Sequence, residues 1–157
     1  MNCRIEISVE AGEWPPMREL RKMAEQATGA VFEILSPELP PCSELSLVFT
    51  DDRSMRELNR QWRGKDSPTN VLSFPGDDLS RVRPAGPLLG DIVVACETCA
   101  REARLEGKPF SHHLTHLIVH GLFHLFVYDH ENDADANEME DLERRALARL
   151  GVGDPYA

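Results

Sequence analysis

Leu88-Leu89-Gly90-Asp91-Ile92-Val93-Val94-Ala95 is the stretch that sets the fold class. It is apolar apart from Gly90 and Asp91, the pattern of a strand inside a sheet, with neighbours on both edges and cover on both faces. Such cover is supplied by helices, and both flanks of the run contain them. Upstream, Arg4-Ile5-Glu6-Ile7-Ser8-Val9 alternates like a half-buried strand. Trp14-Pro15-Pro16 then opens a segment with Met17, Leu20, Ala24, Ala27 and Val31 on one helical stripe. Pro37, Pro40 and Pro41 mark a loop, Leu45-Ser46-Leu47-Val48-Phe49 a second strand, and Asp51 or Asp52 the N-cap of a helix running to about Trp62. A third strand over residues 70–74 precedes a Gly-, Pro- and Asp-rich loop over residues 75–87, long enough to be functional. Downstream, helical patterns cover residues 97–106, 111–126 and 136–150. The last carries Met139, Leu142, Ala146 and Leu150 on one face, with Gly151 as its stop. The order β-α-β-α-β-β-α-α-α predicts an α/β (α+β) fold: one layer of short mixed sheet packed by helices. With no internal repeat or composition break, residues 1–157 are expected to form one domain.

The composition of the 157 residues, 41% apolar and 28% charged with a formal charge of −10, excludes a disordered chain or a basic nucleic-acid tail. The N-terminal segment has no apolar run of signal-peptide length. The most apolar stretch, from Leu114 to Tyr128, is broken by His116, His120 and His124 and falls short of the roughly 20 residues a membrane span needs. Four cysteines without an export signal are expected to be reduced thiols, which places the protein in the cytoplasm, away from membranes.

All six histidines lie between His112 and His130, a window of 19 residues. His120 and His124 share a helix face about 6 Å apart along the axis, a spacing from which two imidazoles bind one ion. His116 cannot join them easily, since positions eight apart on a straight helix are separated by about 12 Å whereas zinc–nitrogen bonds are about 2 Å. His130 supplies the third ligand if the chain turns back around Val127-Tyr128-Asp129, giving His-x3-His-x5-His with a fourth position open for water. The competing reading is two core histidines bonded to carbonyls, because Leu117, Ile118, Val119, Leu122, Phe123 and Leu125 surround them. His112, His113 and His116 lack the ligand spacing and read as surface, capping or supporting residues. In metzincin-type peptidases a glutamate follows the first histidine as general base; here that position is Gly121, so peptidase chemistry lacks its base.

His120-Gly121-Leu122-Phe123-His124-Leu125-Phe126-Val127-Tyr128-Asp129-His130 resembles the signature of the YbeY family, metal-dependent endoribonucleases of ribosomal RNA maturation. The stretch from Leu58-Asn59-Arg60-Gln61-Trp62-Arg63-Gly64-Lys65 through Asp66-Ser67-Pro68-Thr69-Asn70-Val71-Leu72-Ser73-Phe74-Pro75 is similar to that family's other block, and Leu89-Gly90-Asp91-Ile92-Val93 to its strand motif. The resemblance implies one Zn2+, or another divalent transition metal, on His120, His124 and His130. It also implies that Arg63 is required for nuclease action and that the substrate is the 3′ end of small-subunit (16S) ribosomal RNA, with a part in ribosome quality control. Val127 stands where the family usually has glycine, and a turn with φ > 0 there would strain a β-branched residue.

A charge of −10 runs against RNA binding until it is resolved along the chain. Residues 129–157 hold nine acids and three bases, whereas residues 53–65 hold five bases against Glu57. At 100° per residue Arg53, Arg56, Arg60 and Arg63 fall within an arc of about 80°, a cationic stripe suited either to solvent or to phosphate. Cys96 and Cys99 form one CxxC without a second pair and read as buried thiols. Asp91 and Asp129 are candidates to orient a ligand imidazole, or are caps and turn residues; Trp62 reads as core more readily than as a base-stacking platform. The function expected is that of a single-strand-specific endoribonuclease in which Arg63 clamps the scissile phosphate, with ribosomal RNA and the small ribosomal subunit as partners and no organic cofactor. The alternative is a non-catalytic ribosome-assembly factor with a structural zinc site.

Overall fold

A computed structural model describes residues 3–76, 87–126, 128 and 132–157. Nine elements occur among them in the expected order: β1 (Cys3–Val9), α1 (Met17–Leu35), β2 (Ser43–Thr50), α2 (Asp52–Arg63), β3 (Val71–Pro75), β4 (Leu88–Ala95), α3 (Cys96–Leu105), α4 (Phe110–Leu125) and α5 (Asp133–Arg149). The strands form one mixed sheet in the order β1-β2-β4-β3, with β1, β2 and β4 parallel and β3 antiparallel to β4 along an edge. The apolar run from Leu88 to Ala95 is thus an interior strand.

Alternation along the strands divides two cores. Leu45, Leu47 and Phe49 of β2 and Ile92 and Val94 of β4 face the larger one, which α1, α4 and α5 close with Leu20, Ala24, Val31, Leu114, Ile118, Phe123, Met139 and Ala146. Val93 and Ala95 face the other way, where α2 lays Met55 and Leu58 over Leu72, Val48 and Phe74. Helix α4 lies between α1, α3, α5 and the β3–β4 edge, which is why it is apolar on nearly every side.

The helix ends follow local chemistry. Asp51 caps α2 by accepting from the Ser54 N–H at 2.9 Å. Ala95 cannot cap α3, and Asp52 does so from α2, accepting from the Thr98 N–H and hydroxyl at 3.0 and 2.8 Å. Asn132 caps α5 through the Asp135 N–H, starting that helix three residues before the apolar pattern does.

Gly90 is where the antiparallel edge meets α4. Its φ is +142°, and a Cβ there would stand 2.4 Å from the Phe74 carbonyl oxygen and 2.8 Å from Leu125 Cδ2. Gly90→Ala is expected to lower the unfolding free energy by about 2–4 kcal/mol, combining backbone strain with overpacking, as read from urea denaturation.

Candidate functional site

Helix α4 brings His116, His120 and His124 to one side. His120 Nε2 and His124 Nε2 face each other at 3.1 Å. Two ligands of a tetrahedral zinc ion with bonds of about 2.0–2.1 Å are separated by about 3.3 Å. The pair therefore has the spacing of one edge of such a site, and the donor chemistry fits a borderline-soft divalent ion.

The other nitrogen of His120 decides which atom is free to ligate. His120 Nδ1 lies 2.9 Å from Glu143 Oε1. A carboxylate only accepts, so Nδ1 carries the proton and a neutral His120 presents its lone pair at Nε2. Glu143, 1% exposed, also accepts from His116 Nε2 at 2.9 Å and from the Tyr156 hydroxyl at 2.9 Å. Burial alone would raise the carboxyl pKa; the hydrogen bonds and charge of His116 and His120 outweigh it and hold the group at about 2. Ligand atoms of His116, His120 and Glu143 all lie within 4.8 Å of one another, so this group can itself hold a metal ion. Glu143 carries no ligand spacing in the sequence and is not among the residues expected at the site. Its signal was its place on the α5 face with Met139, Leu142 and Ala146, where an acid needs a buried partner.

Glu143→Gln keeps the shape and loses the acceptor-only character that fixes His120. It is expected to weaken divalent-metal affinity by about 10–100-fold, measured by competition against a chromophoric chelator.

A cleft of about 480 Å³ opens beside the histidines, lined by Arg63, Thr69, Asn70, Val71, Leu72, Ser73, Pro75, His120 and His124. Three of the four expected site residues therefore share one cleft; His130, with Val127 and Asp129, lies outside the described residues. Arg63 is the last residue of α2, and Gly64 at φ +68° ends the helix there, its N–H donating to the Arg60 carbonyl. Buried Asn59 donates to the Ser67 carbonyl at 2.8 Å, and Arg56 binds Asp66 at 2.7 Å; both pin the segment after Arg63. Arg56 and Arg60, paired with Asp66 and Glu57, are thus partly neutralised, whereas Arg63 is exposed and has no ion pair among the described residues.

The far wall is equally fixed. Ser73 donates to the Gly121 carbonyl at 3.0 Å, tying β3 to the histidine helix. A Cβ at Gly121 would meet Ile92 Cγ2 at 2.9 Å and Ser73 Oγ at 3.1 Å, so the position that carries a general base in metzincin-type peptidases has no room for a glutamate. Asn70 donates to Glu102, which also bonds buried His113 at 2.8 Å. No carboxylate lines the cleft among the described residues.

Two expectations change. Asp91 lies on the α2 face of the sheet, in a groove with Val93, Phe74 and Trp62, and orients no imidazole of α4. Trp62 is 68% exposed and is not a core residue. Cys96 and Cys99 are buried thiols as expected, both pushed up by burial, Cys99 to about 12.

A family model described as endoribonuclease YbeY matches residues 6–151. The chain belongs to the endoribonuclease YbeY family. Among relatives that carry the name endoribonuclease YbeY, that of Rhizobium meliloti is 56% identical, covering 97% of this chain and 94% of its own length. That of Agrobacterium fabrum is 51% identical, covering 98% and 94%. A solution structure from Thermotoga maritima matches the fold with a TM-score of 0.56 at 24% identity, over 94% of this chain and 91% of that one. Two of the three YbeY blocks noted in the sequence thus contribute the cleft's two walls: α2 and β3 on one side, α4 on the other. No helix among the described residues is long and apolar enough to cross a membrane.

Proposed function

We propose that this chain is a metal-dependent, single-strand-specific endoribonuclease. It acts in 3′-end maturation of small-subunit (16S) ribosomal RNA and in ribosome quality control, working in the cytoplasm on ribosomal RNA and the small ribosomal subunit as one domain over residues 1–157. The observation that carries the reading is the cleft in which the facing Nε2 atoms of His120 and His124 share a wall-to-wall space with Arg63. Membership of the YbeY family and relatives named as endoribonucleases support it. The cofactor is one Zn2+ or similar divalent ion on His120, His124 and His130; no organic cofactor is needed.

Such an ion supplies a Lewis acid for a phosphoryl oxygen and lowers the pKa of water to about 7. The protein does the rest by holding groups still. Glu143 keeps the proton of His120 on Nδ1 and its lone pair aimed at the cleft. Arg63 offers a planar, permanently charged fork to two phosphate oxygens and stabilises the charge that grows on them as the bond breaks. A cleft without a carboxylate among the described residues admits an anionic backbone without repulsion.

The test is cleavage of a structured ribosomal RNA precursor with a single-stranded 3′ extension, by purified protein before and after chelation. Cleavage that disappears with the metal and returns with added zinc is the expected outcome; cleavage unaffected by chelation contradicts the reading.

A further inference from the structure

Trp62 lies at an angle on α2 that would bury it with Met55 and Leu58, yet it is 68% exposed. Its ring packs edge-to-face with that of Phe74, at a centroid distance of 5.9 Å and an interplanar angle of 66°. With Leu58, Val48, Val93 and Pro75 the two aromatics line a groove of about 540 Å³ on the outer face of the sheet, and the carboxylates of Glu10 and Asp91 complete it. The groove and the Arg63 cleft are separate cavities that adjoin in two ways. Pro75, at the end of edge strand β3, lines both, and Trp62 immediately precedes Arg63 at the end of α2.

We propose that this groove is a nucleobase pocket: an RNA strand with a phosphate at Arg63 passes over the end of β3 and stacks one unpaired base against Trp62 and Phe74. The proposal rests on the endoribonuclease reading and extends it to the contact that selects single strands. Aromatic faces accept any base, because every base has a π-face. The two carboxylates repel phosphate but accept hydrogen bonds from base N–H groups, so the groove suits the base and the neighbouring guanidinium suits the backbone. A base held in a duplex cannot enter, which makes strand separation a condition of full binding.

The experiment uses single-stranded RNA substrates carrying one abasic site at successive positions around the cleaved bond, with KM and kcat measured for wild type, Trp62→Ala and Trp62→Phe. Trp62→Ala is expected to raise KM about tenfold with kcat nearly unchanged, and Trp62→Phe to recover most of the loss. One abasic position is expected to cost wild type the same factor and to cost Trp62→Ala nothing further. Equal KM for Trp62→Ala and wild type overturns the proposal, as do abasic and protein losses that multiply at every position. Unchanged RNA cleavage by Trp62→Ala with weaker binding to the small ribosomal subunit also overturns it, and makes the groove a protein contact. If wild type fails to cleave at all, the endoribonuclease reading is what has failed. The groove is then decided by fluorescence of a Trp14→Phe protein, in which Trp62 is the only tryptophan. Quenching by intact RNA that one abasic site abolishes upholds the pocket, and no quenching rejects it.

Discussion

His124→Ala is expected to lose both the bound metal and at least about 10³-fold of cleavage, because the lowering of a bound water's pKa to about 7 goes with the ion. The geometry makes this substitution more telling than its neighbours. His124 Nε2 is one of the two facing nitrogens and is set 3.1 Å from its partner. The residue is half-buried at the end of α4, while Leu122, Phe123 and Leu125 around it carry the packing. Stability of the metal-free protein should therefore change by less than about 1 kcal/mol. Zinc should raise the thermal midpoint of the wild type, since an ion that binds only the folded state adds about 4 kcal/mol at a thousandfold excess over its Kd; the variant should show no such rise. Metal content by elemental analysis, cleavage and the melting curve together check the prediction.

Arg63→Ala is expected to retain its metal and lose about 10²–10³-fold in kcat, the usual consequence of removing one preorganised group that stabilises transition-state charge. Arg63→Lys should recover only part, since an ammonium ion cannot make the paired contact of a guanidinium to two phosphate oxygens. The substitution is unlinked to folding: Arg63 is exposed, and α2 is ended by Gly64 and pinned by Asn59 whichever side chain stands at 63. Full cleavage with full metal content would contradict the phosphate-clamp role of Arg63; metal held by the wild type without any cleavage would instead favour a ribosome-assembly role with a structural ion.

The elements were legible because each carries its own periodicity. Alternation in β1, the helical stripe in α1, the cap at Asp51 and the continuous apolar run in β4 are local signals, and the cap residue Asn132 moves the start of α5 by three residues. The i, i+4 pair of His120 and His124 was legible for the same reason. What could not be read is the pairing of distant segments. Period two groups Asp91 with Val93, but nothing local says that this face looks away from the histidine helix. Glu143 lies 23 residues from His120, and only its intrusion into an apolar stripe hinted at a partner. Trp62 shares the buried arc of α2, yet in the last turn its ring has Phe74 beside it and remains largely in solvent. The four-arginine stripe is likewise uniform in sequence, whereas in the fold Asp66 and Glu57 lie against two of its members.

The decisive measurement is an anomalous difference map at the zinc edge from crystals of the zinc-loaded protein. A single strong peak is expected within bonding distance, about 2.0–2.1 Å, of His120 Nε2 and His124 Nε2, with Glu143 still hydrogen-bonded to His120 Nδ1. A peak lying instead between His116 and Glu143, or no peak beside the two facing nitrogens, would contradict it.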